Sequence, residues 1–295
     1  MYSIPGGFNK RTAAGEKTLQ KTVIERNGKN FQYWRDLWRY RGLALNLARR
    51  DITVRYKQTV IGIGWSVLGP LMNMLIMSFI FGTVAKLPSD SGVPYRIMVY
   101  AGLIPWTLFG RSLTIVSSTF LSNASLLKKV YFPRIIAPLG EVTALLIDTL
   151  ISCGVLAVMM ALYRYVPPFE RLALLPVFLL MTVLLGFSLG MTLAPFNVKH
   201  RDLNQILPFM IQLGQYVTPV VYSYAFVMST ISPTMGIVYT LNPATGIVNA
   251  FKWCVIADNP FDMKTFLISA AWIAVLLPIG IIRFRKAERT FVDLV

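Results

Sequence analysis

The chain has 295 residues, of which 55% are hydrophobic and only 14% charged, with a mean hydropathy of +0.57. Soluble domains of this length carry about a quarter charged residues, so most soluble readings are excluded and a bilayer becomes the expected solvent. The net charge of +16, from 29 Lys and Arg against 13 Asp and Glu, leaves two anionic partners to separate: nucleic acid or a membrane face.

Residues 1–30 are polar, with scattered Lys and Gly, and are expected to be flexible. Neither an early apolar core nor a small-residue cleavage site is present, so no signal peptide is expected. Between 31 and 60, Phe31, Trp34, Trp38 and Leu45 recur at helical spacing, interleaved with Arg35, Arg39, Arg41, Arg49 and Arg50. A helix aromatic on one side and basic on the other lies in the membrane interface; the alternative is a soluble amphipathic helix covering a core. The run Arg50–Lys57 leads directly into the first apolar block and into the inner headgroup layer.

Six apolar blocks follow, at about 61–85, 97–121, 135–162, 172–194, 203–224 and 266–282. The first has no charge in 25 positions, more than the roughly 20 needed to span, while the sixth is short and needs its flanks. Gly and Pro inside the blocks are tolerable where neighbouring helices satisfy the freed backbone groups. The connection 225–264 is broken at Ser232-Pro233, Asn242-Pro243 and Asn259-Pro260. Its stretches Gly236–Tyr239 and Thr245–Ile256 are too short to span, which predicts two re-entrant or surface-lying helices and a candidate gate. The expected class is therefore an all-α integral membrane protein. It comprises a flexible segment (1–30), an amphipathic interface helix (31–60) and a six-helix transmembrane domain (61–295).

The distribution of Lys and Arg sets the orientation. One set of segments (the N-terminal region, the 123–134 and 195–202 loops and the C-terminal tail) carries 22 of them and the alternate loops six. Both termini are then cytoplasmic, and the positive charge faces anionic lipid or anionic substrate. Nucleic acid is not needed to explain it.

Several chemistries have no signature. Gly28-Lys29 lacks the upstream glycine and following hydroxyl of a phosphate loop, so any ATP hydrolysis requires a separate subunit. The lone His200 reads as a loop residue, and Cys153 and Cys254 give neither a disulfide framework nor a metal spacing. With no DxD pair and no HExxH stretch, the chain is expected not to be an enzyme and to hold no metal or cofactor of its own.

Charged side chains within spans are functional candidates. Counting from the inner ends at 1.5 Å per residue, Arg111 lies roughly 15 Å deep, Glu141 roughly 9 Å and Asp148 roughly 20 Å. Arg111 thus falls between two acids on the neighbouring helix. Either an ion pair fixes helix register, or Arg111 meets a lipid phosphate or lines a conduit. Trp65, Trp106, Phe109, Tyr216, Tyr222 and Tyr224 are interfacial or packing residues by default, with a glycan path as the functional alternative, since aromatic faces stack on sugar C–H surfaces.

The ordered motifs Arg50-Asp51-Ile52-Thr53-Val54-Arg55-Tyr56-Lys57-Gln58-Thr59, then Gly62, Gly64-Trp65 and Gly69-Pro70, resemble the start of ABC-2-type permeases that export polysaccharides. The resemblance continues through residues 123–134 (NASLLKKVYFPR), 197–203 (NVKHRDL), 218–222 (TPVVY), Leu241-Asn242-Pro243 and 284–289 (FRKAER). That family includes exporters of O-antigen, capsule and teichoic acid. The resemblance implies a homodimeric permease of the inner membrane that pairs with two ATP-binding cassette subunits, in which ATP and Mg reside. Its cargo would be a lipid-linked polysaccharide, O-antigen first, then capsule or teichoic acid. Contact with the ATPase carries over to Asn123, Leu126, Leu127, Lys128, Lys129, Phe132 and Pro133, the interface helix to about Phe31–Tyr56, and a periplasmic gate to 226–258. Lys128 and Lys129 suit an acidic groove on the motor, or simply anchor the loop on the inner face. Arg49, Arg50, Arg55 and Lys57 suit a lipid pyrophosphate, or ordinary anionic lipid. The rival readings are an ABC-2 permease for a drug or small lipid and, in another class, a membrane glycosyltransferase or polymerase.

Overall fold

The computed structural model describes residues 30–57, 64–90, 92–124, 132–200, 202–257 and 259–294. Every regular element among them is helical. In chain order they are α1 (Asn30–Arg39), α2 (Arg41–Lys57), α3 (Gly64–Met77, continued by a π-helical stretch over Ser78–Val84), α4 (Tyr95–Ser122) and α5 (Ile136–Leu162). Then come α6 (Phe169–Leu172), α7 (Leu175–Lys199), α8 (Leu203–Val217), α9 (Tyr224–Thr230), α10 (Pro233–Leu241), α11 (Pro243–Val255) and α12 (Met263–Leu294).

Five helices are long and apolar enough to cross a membrane: α3 with its continuation, α4, α5, α7 and α12 up to Glu288. They coincide with five of the six apolar blocks. The block at 203–224 behaves differently, because α8 stops at Val217 and Thr218 is extended. A proline disfavours helical backbone in the residue before it, and Pro219 stops the helix there. Fifteen residues give a helix of roughly 22 Å, short of the ~30 Å hydrocarbon layer. The expected interface helix at 31–60 is two helices separated by a turn at Tyr40, two residues before Gly42. Only α1 has a strongly two-sided apolar pattern; α2 has almost none.

The bundle is built around α4. In its most apolar window 78% of residues are buried, against 11% for α3 and 22% for α12, so α4 is the axis and the other two are peripheral. It packs most extensively on α7 and also on α5, α11, α3 and α8, while α7 in turn packs on α12. The core divides into a large cluster around Ile97, Tyr100, Leu103, Leu185, Val220, Ile247 and Phe251. A second cluster, at the end that carries α1 and α2, gathers Leu47, Phe120, Phe132, Met191 and Phe284. There the rings of Phe120 and Phe284 stack at 4.5 Å.

The segment expected to hold two short helices holds three. Ser223, Ser232 and Asn242 each precede a helix, and their side-chain oxygens accept backbone N–H groups from Phe226, Met235 and Ala244. Pro233 and Pro243 occupy first helical positions, where the missing N–H costs nothing. Ser232-Pro233 and Asn242-Pro243, which look like breaks, are helix starts, while Asn259-Pro260 lies in the connection before α12. Helix α11 is buried on nearly all sides, between α4, α7 and α12.

Candidate functional site

The polar residues within the bundle gather at three levels. The central one surrounds Asp148, half-way along α5, whose carboxylate is almost wholly buried at 6% exposure. One oxygen takes Nη1 of Arg111 from α4 at 2.8 Å. The other accepts the hydroxyls of Tyr56, at the end of α2, and Ser66, in the first turn of α3, the latter at 3.3 Å. Tyr56 and Ser66 also lie 3.1 Å apart, oxygen to oxygen. Arg111 is 42% exposed and looks into a cavity of about 130 Å³ lined by Trp65, Ser66, Thr107, Asp148 and Ser152, among others. Of the two acids that depth alone left open for Arg111, the structure brings Asp148 to it. Glu141 lies nearer the α1–α2 end, where its carboxylate accepts Nδ2 of Asn123 at 2.6 Å. Arg111 is separated in estimated depth by about 6 Å from Glu141 and about 5 Å from Asp148, both within the reach of an arginine side chain, so spacing alone could not choose.

The second level is the end that carries α1 and α2. Glu288 of α12 accepts the hydroxyl of Tyr33 at 3.3 Å and the backbone N–H of Arg134 at 3.0 Å, and its own carbonyl takes the Arg134 guanidinium at 2.8 Å. The guanidinium of Arg285 stacks over the Tyr33 ring at 4.3 Å. Burial, with the neighbouring carboxylate second, pushes the Tyr33 phenol above its ordinary pKa. The chain just before α5 is thereby tied to both α1 and α12. Of the loop residues matched to ATPase contact, Asn123, Phe132 and Pro133 are buried here; Leu126, Leu127, Lys128 and Lys129 lie outside the described residues. Arg49, Arg50 and Lys57 are exposed on α2, Arg50 pairing with Asp51 at 2.8 Å. Arg55 belongs to the same helix, its side chain outside what is described.

The third level is at the opposite end, and sequence reasoning missed it. Lys252 of α11 is fully buried and donates to the carbonyl of Tyr222 at 2.9 Å. Desolvation lowers its pKa to about 8, with the charge of Asp90 acting in the other direction. One Asp90 oxygen is buried without a hydrogen-bond partner. Gly102 of α4 makes the fit possible, since a Cβ there would stand 2.9 Å from Val220 Cα and 3.0 Å from Lys252 Cε. Beside it, Arg171 donates to the Ala257 carbonyl at 2.8 Å and stacks over Trp253 at 4.7 Å, clamping the far end of α11. A lone lysine inside the apolar stretch 245–256 was the available signal.

The aromatic candidates separate by environment. Trp106 and Phe109 are buried as a tilted pair at 5.4 Å, and Tyr224 is buried against Tyr239 at 6.0 Å. Trp65 is 56% exposed at the mouth of the central cavity and Tyr216 is 39% exposed on α8. Tyr222 donates to the Tyr216 carbonyl at 2.6 Å.

A family profile described as "ABC-2 type transporter" matches residues 43–255. The chain belongs to the ABC-2 type transporter family. It is 27% identical over 244 residues to the O-antigen export system permease protein RfbA of Myxococcus xanthus, covering 82% of this chain and 91% of that one. Two proteins of the same name from Klebsiella pneumoniae are similar, at 28% over 210 residues (71% and 78% of the two chains) and 27% over 254 (85% and 94%).

As an ABC-2 transporter chain, the protein is the multi-pass membrane component of a transporter that works with an ATPase partner, and is not itself the motor. The family match begins within α2 and ends at the last residue of α11. It therefore contains the Asp148 group and the Lys252 group entire. Tyr33 and Glu288, which tie α1 to α12, fall on either side of it.

Proposed function

We propose that the chain is the permease subunit that exports a lipid-linked O-antigen polysaccharide across the cytoplasmic membrane, driven by a separate ATP-hydrolysing subunit. The observation that carries this reading is the alignment with three O-antigen export permeases over at least 71% of the chain. In this reading α8, with the turn and bend residues 218–222 that follow it, completes a sixth crossing, and both termini are cytoplasmic. The bias of 22 basic residues to six supports that orientation.

The permease works as a homodimer. The apolar side chains left uncovered on α3 (Leu68, Met72, Ile76) and α8 (Ile206, Phe209, Leu213) suit a seam between two copies with lipid around it. Residues 123–133 dock on the ATPase, Lys128 and Lys129 supplying charge. Arg49, Arg50, Arg55 and Lys57 receive the pyrophosphate of the carrier at the inner leaflet, since guanidinium groups pair bidentately with phosphate oxygens. Helices α9, α10 and α11 close the outer side as a gate.

The test is deletion of the gene with complementation. Lipid-linked polymer accumulates inside and surface polysaccharide disappears, and the restored, tagged permease brings down an ATPase. Normal surface polymer in the deletion strain would refute the cargo. Replacing Lys128 and Lys129 together by Ala should weaken ATPase capture without lowering the amount of permease in the membrane.

A further inference from the structure

We infer that α2 is a lever whose tip, Tyr56, latches on Asp148 in the resting state, making Tyr56 and Asp148 positioning residues for transport. The inference rests on the permease reading above. Its geometry has a fulcrum and a tip. The fulcrum is Gly140 of α5, where a Cβ would stand 2.9 Å from the Ala44 carbonyl oxygen and 3.0 Å from Leu47 Cβ. Backbone thus meets backbone there, with Leu47 and Ala48 buried beside it. The tip lies eight residues further along α5, roughly 12 Å at 1.5 Å per residue, where Tyr56 meets Asp148 through its hydroxyl. A close-packed fulcrum resists separation, whereas a hydrogen bond at the tip makes and breaks as the helix tilts.

What the tip touches makes the latch consequential. Asp148 also holds Arg111 of α4 and Ser66 of α3, so a single carboxylate joins α2, α3, α4 and α5. The Arg111–Asp148 pair is a charge pair at bilayer depth, where each partner needs the other and every remaining lone pair needs a donor. When Tyr56 leaves, Asp148 loses a donor, and Ser66 and Arg111 are among the groups placed to respond. Both line the cavity beside Trp65. Motion of α2 at the α1–α2 end is thereby converted into rearrangement at the cavity, with no new contact between the two.

The experiment uses the full-length permease in complex with its copurified ATPase, with Cys153 and Cys254 replaced by Ala. Spin labels are placed at Thr53→Cys on α2 and Thr143→Cys on α5, both exposed positions. Distances are measured without nucleotide and after ADP–vanadate trapping, and surface polymer is measured in cells. The expected result is a nucleotide-dependent change in the label distance. Tyr56→Phe, which removes only the hydroxyl, should shift the nucleotide-free distribution toward the trapped one and lower export about tenfold. That is the population change one charge-assisted hydrogen bond is able to supply. Asp148→Glu, which keeps the acceptor, should retain more export than Asp148→Asn.

A label distance that nucleotide does not change, or that Tyr56→Phe leaves where it was, overturns the lever. So does loss of assembly in Tyr56→Phe, since the hydroxyl would then be holding the fold. If the distances behave as expected but cells without the permease still display polymer, the cargo assignment fails and the lever stands.

Discussion

Replacing Gly246 by Ala separates a close-packed α11 from a loosely held one. Gly246 lies in the first turn of α11, facing α12, and a Cβ built there would come within 2.6 Å of Ser269 Oγ and closer still to the carbonyl carbon and oxygen of Thr265. Two of the three obstacles are backbone, so no rotamer change relieves them. The helices themselves must separate by several tenths of an ångström, and α11 has nowhere to go, with α4 and α7 packed behind it. Overpacking of this kind costs about 1–3 kcal/mol, of which the better helix propensity of Ala returns up to about 1 kcal/mol. Gly154, in α5, has nothing within 4 Å of the same ideal Cβ, so Gly154→Ala should show the propensity gain alone. Thermal unfolding of the two purified variants in one detergent, followed by fluorescence-detected size exclusion, should therefore shift in opposite directions. Unfolding of Gly246→Ala at or above the wild-type temperature, with Gly154→Ala behaving as expected, would refute the close approach of α11 and α12.

Three further outcomes follow from the same contacts. The folded-state pKa of Lys252 is lowered from 10.5 to about 8, so between those values the unfolded chain binds the proton and the folded one does not. The Lys252 contribution to stability should rise across that window, and Lys252→Met should remove it, read as the difference between the unfolding–pH profiles of the two proteins. Phe284 is fully buried and stacked on Phe120; Phe284→Ala should cost about 3–5 kcal/mol, read as lost folded protein in the membrane, with Phe284→Leu milder. Arg171 bonds the Ala257 carbonyl while covering Trp253, a pairing that lysine cannot reproduce. Arg171→Lys should speed proteolytic cleavage near 256–262 without changing the overall unfolding temperature by a comparable amount.

Local chemistry was readable where one residue's neighbours in sequence are also its neighbours in space. The cores of α4, α5 and α7 follow from runs of apolar residues, whereas hydropathy carried the fifth block to 224 and overlooked Pro219, which disfavours helix at Thr218 and ends α8 at Val217. Past the hydropathy boundary the signal weakens: α12 continues from 282 to Leu294 through Arg283, Arg285 and Lys286, because Phe284 buries against Phe120 and Glu288 bonds Arg134. The partner of Arg111 was narrowed to two acids, and side-chain reach hid the choice. Tyr33 and Glu288 are 255 residues apart, a pairing that no spacing rule reaches. Lys252 was legible as an anomaly, but nothing in the sequence placed Gly102 and the Tyr222 carbonyl around it.

The location of the polar contacts has a common cause. Between helices in lipid there is no hydrophobic driving force, so association depends on close approach of small residues and on hydrogen bonds. The spanning helices α4 and α7 meet along a long, well-packed face that uses both, with Gly186 and Gly190 set close against α4 and Asn197 donating to the Ser117 carbonyl at 3.0 Å. Among the helices that do not span by themselves, α1, α2 and α11 are each fastened by at least one of those two devices. Helix α2 is held at Gly140 and Asp148, α1 at Glu288, and α11 at Gly246, Gly102, Lys252 and Arg171. The attachments of α1 and α2 are few and individually breakable, while the α4–α7 face is continuous. A transporter that must move without coming apart therefore has its freedom in α1 and α2, where substitutions at the attachment points should alter transport before they unfold the bundle, whereas α11 is locked between α4, α7 and α12.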